Sequence, residues 1–373
     1  MIEVIEVATK KQQKEFLDFP LKLYKKNPYF VPPLYADEKA IFKSNYHYYE
    51  VSEAKYYLAY KDGKVAGRIS AILQKSSNEK WNQKRVRFTR FDCIDDQEVA
   101  DALFLKVEQY AKEKQMEEIV GPLGFSDLER EGLLIEGFDY LSTYEEQYNY
   151  SYYQKLIENY GFGKEIDWLE HRLFYSKEGH ERLKTFSERI LQKYELRINK
   201  VKNINYFIKH YAKQFFEILD TTYAKIYGTV PITDNMRKSL IQSFKLVVRP
   251  SNIGLIVDKN DRIVAFALSF PAFGEELIKS SGHLTIPTIF KVLKAVNHPT
   301  HIDLGLIGVL PEFEMKGVVS AMLASALDDL EDGKIEYYET NLNLENNYHI
   351  INQWKNFKYI QHKRRRSFIK KIS

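Results

Sequence analysis

Residues 301–323 read HIDLGLIGVLPEFEMKGVVSAML. An apolar run, LGLIGVL (304–310), stops at a proline, passes a lysine–glycine turn and gives way to apolar residues at helical spacing. A strand, a tight turn and a helix in that order often hold a phosphate, because uncapped amides and the positive end of the helix dipole favour an anion. Gly317 at the turn lets phosphate oxygens reach the backbone with no Cβ in the way. It is the only glycine of this turn, and Glu314 at the entrance brings a carboxylate that opposes an anion. The residues alone leave a working anion site, a degenerate one and a plain connection all open.

Around this stretch lies a chain of 373 residues, too long for one ordinary core and pointing to two domains. Its 27 Tyr and 23 Phe put large amphipathic rings into cores, grooves or both. Lys+Arg 55 against Asp+Glu 51 leaves +4, too weak a balance to argue for nucleic acid. One cysteine, Cys93, excludes an internal disulfide and a cysteine-based zinc site, and it fits a reducing compartment. No basic segment followed by an apolar one opens the sequence, and no run approaches the roughly 18 apolar residues of a membrane span. The expectation is a soluble, cytoplasmic chain with no membrane span.

The pattern along the chain repeats. KYYLAYKDGKVAGRISAIL (55–73) reads as a β-hairpin with Asp62-Gly63 at the turn, and NIGLIVDKNDRIVAFALSF (252–270) as a second one. The hairpins lie about 197 positions apart, and the turns YGF and KNF further on lie about 195 apart. Near-equal offsets at separated landmarks indicate a duplicated unit with unlike insertions, 124–150 in the first copy and 271–301 in the second. Each copy reads as a strand, helices, a three-strand meander, a helix, a strand, a helix and a final strand. A helix from 9 to about 26 is expected to break at Pro20. The tail HKRRRSFIKK (362–371) reads as a terminal strand with an exposed charged face.

This order resembles that of the GNAT acyltransferases. The chain as a whole is similar to bacterial tandem GNAT-like proteins of unassigned substrate, through YYLAYKDGKVAGRISAI, YYQKLIENYGF, IYGTVPIT and LIGVLPEF. The resemblance implies a mixed α/β (α+β) protein of two tandem lobes, 1–178 and 179–373, each a mostly antiparallel mixed sheet flanked by helices. GNAT proteins bind acyl-CoA where the fourth strand splays from the fifth, with the pyrophosphate on a loop patterned Gln/Arg-x-x-Gly-x-Gly/Ala. Here the matching window is Glu314 to Val319, so Glu314 and Val319 both depart from the pattern. By this likeness Lys316, Gly317, Val318, Val319 and Ser320 would hold pyrophosphate, and Ile307, Gly308 and Val309 would pair with pantetheine. Asn346, with Asn343 and Asn347, would hold pantetheine amides or cap a helix. The first copy has FDCIDDQEV at the same place, with no glycine and with Asp92, Asp95 and Asp96, which read as ordinary helix-start acids. That lobe is expected to hold no cofactor and, by analogy with N-myristoyltransferases and Fem aminoacyltransferases, to shape the acceptor groove.

Acyl transfer to an amine needs a base for the amine and an acid for the leaving thiolate. The family's acidic tyrosine falls on Asn352 here, which leaves Tyr348, one turn earlier, as candidate acid and Glu339 as candidate base. Tyr152 and Tyr153 are candidates for an acceptor groove, or for packing. His298 and His301 lack a third ligand, so no metal site is expected. The implied function is transfer of an acetyl or short acyl group from acetyl-CoA or another acyl-CoA to a small-molecule or peptide amine. Two alternatives stand beside it: a GNAT-fold protein that binds without catalysis, and a Fem-like aminoacyl transferase, in which alone tRNA is a partner.

Overall fold

The computed structural model describes residues 1–372. Fourteen strands among these residues form one sheet. The first half supplies β1 (Ile2–Glu6), β2 (Ser52–Lys61), β3 (Lys64–Gln74), β4 (Arg85–Cys93), β5 (Glu118–Gly121), the short β6 (Leu133–Glu136) and β7 (Gly163–Phe174). The second supplies β8 (Arg197–Lys200), β9 (Ile253–Val257), β10 (Ile263–Pro271), β11 (His301–Val309), β12 (Tyr337–Thr340), β13 (Asn343–Leu344) and β14 (Lys358–Lys371). Both hairpins form where the turn residues direct them. Asp62 and Gly63 take φ of 51° and 76°, the left-handed pair that a two-residue hairpin turn requires.

The strand order is β1-β2-β3-β4-β5-β14-β7-β12-β11-β10-β9-β8. Pairing is antiparallel except at β4/β5 and β11/β12. The last strand of each half has therefore crossed to the other: β14 lies between β5 and β7, and β7 between β14 and β12. The halves are joined through the middle of the sheet.

This exchange corrects the reading of the tail. An end strand would show its charges to water, but β14 is central, and Lys363 and Arg365 are fully buried. Lys363 Nζ donates to Glu339 at 2.5 Å and to Glu170 at 3.3 Å, and Arg365 Nε donates to Glu170 at 2.6 Å. On the opposite side Arg364 and Arg366 converge on Asp167 at 3.0 and 2.7 Å. The tail's cations are matched by Asp167 and Glu170 of the first half's own last strand and, for Lys363, by Glu339 of β12.

The break expected at Pro20 is absent, for a local reason. Proline has no amide to give the carbonyl of Phe16, yet the helix Lys10–Leu23 runs through it. Arg68 on β3 fills the gap, with Nη1 2.9 Å from that carbonyl and Nε 2.7 Å from Asp92. The Tyr24 hydroxyl donates to the same carboxylate. Asp92 is thus part of a buried tie, while Asp96 caps the helix Gln97–Glu113 through the amides of Glu98 and Val99.

The helix Gln97–Glu113 lays Val99, Leu103, Phe104 and Val107 onto Ile69, Phe88 and Phe91 of β3 and β4. In the second half the helix Ala212–Tyr223 puts Phe215 and Leu219 against Leu255 and Phe266. The helix Ser320–Glu331 packs Leu323, Leu327 and Leu330 on Leu173, Ile302 and Tyr338. Leu173 belongs to β7, so this core takes in the exchanged strand as well.

Candidate functional site

β11 and β12 run in parallel only from His301↔Tyr337 to Leu304↔Thr340. β12 then ends, and the chain turns into β13, which pairs with β7. β11 continues to Val309 with β10 as its neighbour. The two strands splay, and a narrow pocket opens at the fork. Glu145 and Thr143 reach it from the first half's insertion, Asp303 and Leu304 from β11, Phe270 from β10, and Thr340 and Asn341 from the end of β12.

Charge is unevenly settled here. Burial pushes the Glu145 carboxyl up to about 7, and Glu339 adds to that effect against Arg130. Its Oε2 is sealed from solvent with no hydrogen-bond partner among the described residues. Burial raises Asp303 well above the ordinary carboxylate range, and the nearby Glu145 and Glu339 raise it further. Glu339 is the opposite case: burial would raise it, but Lys363, then His362 and Arg172, outweigh burial and hold it far below. Both its oxygens are taken, Oε1 by Lys363 and His362 (3.0 Å) and Oε2 by Arg172 (3.0 Å). Glu170, Glu339 and His362 bring three potential ligand atoms together. The Lys363 ammonium already lies among them.

The loop past β11 makes a short 3-10 turn at Pro311–Phe313 and reaches the helix Ser320–Glu331 through 314–319. Ser320 closes back on the Gly317 carbonyl through its amide at 3.0 Å and its hydroxyl at 2.6 Å. The amides of Gly317, Val318 and Val319 have no partner among the described residues. Gly317 has φ of 77°, and a Cβ there would stand 2.5 Å from the ring of Phe186. Packing on the helix Lys177–Lys193 is thus enough to require glycine. The Lys316 ammonium lies 5.2 Å from the ring centres of both Tyr194 and Phe313. Between loop and fork, the Ile307 amide donates to the Tyr223 hydroxyl at 3.2 Å. Burial raises that hydroxyl to about 12.

The residues singled out from sequence fall in several places. Ile307, Gly308 and Val309 line one run of β11, and Lys316 to Ser320 follow on the loop. Glu339 is buried one residue before the fork, whereas Tyr348 is 67% exposed on the short helix Tyr348–Ile351. Asn347 caps that helix, Asn343 accepts from the Trp354 indole, and Asn346 is exposed. Tyr153 is fully buried in the first half's core, where its hydroxyl bonds the Tyr24 hydroxyl and accepts from the Cys93 amide, and Tyr152 donates to the Cys93 carbonyl. Glu145, Asp303 and Tyr223 escaped sequence reasoning. Asp303 alone left a trace, a carboxylate inside the apolar run of β11.

The meander, the fork between fourth and fifth strands, and their repetition define the tandem GNAT fold. The structure aligns with a tandem GNAT protein from the clavulanic acid biosynthesis pathway at a TM-score of 0.56, over 100% of this chain and 98% of that one at 10% identity. By sequence it is 26% identical over 378 residues to Protein YghO of Escherichia coli (strain K12), covering 97% of this chain and 94% of that protein. It is 30% identical over 140 residues to the bacterial ceramide synthase of Caulobacter vibrioides (strain NA1000 / CB15N), 37% of this chain and 36% of the relative. No family model matches the chain.

Proposed function

We propose that the chain transfers an acyl group from acyl-CoA to an amine at the fork between β11 and β12. The observation that carries this reading is the pair of carboxyls lining the fork, Asp303 and Glu145, the second with an oxygen sealed and unpartnered and pushed by burial up to about 7. A base acts best when it ionises near the working pH. In this reading Glu145 takes that role in place of Glu339, whose oxygens are occupied and whose affinity for a proton is low. The amine nitrogen attacks the thioester carbonyl and gives its proton to Glu145, a C–N bond forms, and the C–S bond breaks. Tyr223 gives the thiolate its proton and recovers one from solvent; unlike Tyr348, it bonds β11 between the loop and the fork. The free amides of Gly317 to Val319 and the Lys316 ammonium hold pyrophosphate. Pantetheine pairs along Ile307 to Val309, which requires the Tyr223 hydroxyl to release the Ile307 amide. Ceramides are amides of long-chain amino alcohols, so the ceramide synthase likeness favours a long-chain amine and a fatty acyl group over acetyl.

The test is calorimetric titration of acetyl-CoA and palmitoyl-CoA, followed by thiol release on adding sphinganine, spermidine or a lysyl peptide. Micromolar binding weakened by Lys316→Glu, with release abolished by Glu145→Gln, supports the reading. Lys316 is exposed, so that change leaves packing alone, whereas any side chain at Gly317 would strike Phe186. No binding at millimolar CoA sinks it. Tight binding without release under any amine leaves the non-catalytic alternative.

A further inference from the structure

The second half's insertion contains the helix Ile286–Asn297, IPTIFKVLKAVN. Its inner face packs well, with Thr288 and Val296 buried and Val292 and Ala295 half-buried against Phe273 and Leu277. That face accounts for the single apolar stripe a surface helix needs. The helix has another stripe on its outer side. Ile286, Ile289, Phe290 and Leu293, at i, i+3, i+4 and i+7, are 73, 40, 68 and 41% exposed, and Leu284 just before them is 48% exposed. Five large apolar side chains gathered on one exposed face mark a contact surface, unlike scattered single ones.

Cations outnumber carboxylates around this face, the latter being Glu275 and Glu276 at the start of the neighbouring helix Gly274–Ile278. Lys291 and Lys294 flank the stripe, Lys279 is exposed at the end of the neighbouring helix Gly274–Ile278, and Arg249 bonds Asn297 at 3.1 Å. Between Glu276 and Asp303 the sequence has no acidic residue. We propose that this outer face docks on an anionic lipid bilayer, with the apolar stripe entering the headgroup boundary and the lysines meeting lipid phosphates. No helix among the described residues is long and apolar enough to cross a membrane, so the contact is with the surface. A second copy of the chain suits the face less well. A two-fold contact through this stripe sets lysines beside lysines, with no carboxylate on the helix to answer them.

The insertion that carries the face is also joined to the fork. β10, whose Phe270 lines the pocket, leads directly into this insertion, and Tyr144, next to Glu145, packs on Phe273 at 4.8 Å between ring centres. If the acyl transfer proposed above holds, docking brings a bilayer-resident amine to the pocket mouth. That link rests on the acyl-transfer reading; the docking does not.

The experiment is flotation of the whole protein with phosphatidylglycerol/phosphatidylcholine vesicles and with pure phosphatidylcholine vesicles. The protein floats with the anionic vesicles, Ile286→Ser/Phe290→Ser lowers its partition at least about tenfold, and Lys291→Glu/Lys294→Glu lowers it on anionic vesicles. Both pairs are exposed, so unchanged circular dichroism and urea midpoints separate lost docking from lost folding. Failure of the wild type to float with either vesicle overturns the proposal. So does a dimer in sedimentation equilibrium that Phe290→Ser dissolves, since the face then belongs to a second copy. Vesicle binding is read without turnover, so docking with no thiol release rejects the acyl-transfer reading alone.

Discussion

Replacing Glu145 by glutamine removes a carboxyl that the fold keeps protonated past the point where the unfolded chain releases its proton. Its ionisation moves from the ordinary 4.5 to about 7 on folding. At 1.36 kcal/mol per unit, the ionised form costs the folded state about 3 kcal/mol. The sign follows from the direction of the shift. A raised carboxyl contributes stability that is complete below its unfolded value and is lost as pH rises through its folded value. Glutamine has no such dependence. Urea unfolding of wild type and Glu145→Gln at pH 5 and pH 8 reads the difference directly. The variant gains on the wild type by about 2 kcal/mol between the two conditions. An equal gap at both values means Glu145 titrates as an ordinary surface acid, and the fork has no base poised near neutrality. A gap that shrinks toward pH 8 means a cation such as Arg130 dominates the site, and the assignment of the base fails with it.

Lys363→Met leaves the carboxylates of Glu170 and Glu339 buried without their shared cation, and should cost about 3–5 kcal/mol in urea unfolding; adding Glu170→Gln should recover part of that loss. Arg68→Met strips Asp92 of its charge partner and the Phe16 carbonyl of its side-chain donor, so stability should fall by about 3 kcal/mol, whereas pairing it with Pro20→Ala, which restores an amide to that carbonyl, should soften the effect. Glu38 is half-buried, and the Arg90 guanidinium outweighs the cost of burial and holds it at about 2. This pairing adds stability above the ordinary 4.5 that fades as pH falls toward 2; thermal melts between pH 7 and 3 should show the fade in wild type and a shallower one in Arg90→Met.

Much of the architecture could be read from local signals. The Asp62-Gly63 turn, the apolar alternation on both sides of it and the offset between the two hairpins are short-range features, and they fix a meander and its repetition. Strand exchange has no such signature. β7 and β14 carry the same alternation whichever half they join, and the choice is made by Glu170 and Asp167 meeting Lys363, Arg365 and Arg366 from more than a hundred residues away. Read alone, HKRRRSFIKK is a solvated edge, because buried cations are expensive unless each finds a partner. Pro20 was misjudged in the same manner: the donor for the Phe16 carbonyl comes from a different element. At the site, the loop around Gly317 was legible as strand, turn and helix, but Glu145 arrives from the other half's insertion, where no periodicity marks it.

The crossing of β7 and β14 also sets a schedule for synthesis. When the ribosome has released the first half, β5 still waits for a neighbour that is made last, and β7 has a partner on neither flank. Both are open edges of the kind that pair with other chains. The first half cannot close its sheet until nearly the whole polypeptide has emerged, so the two copies mature as one cooperative unit. A gene duplication normally yields modules that can be shuffled or lost singly. Here the exchange has removed that freedom: neither copy can leave without taking a strand from the other's core.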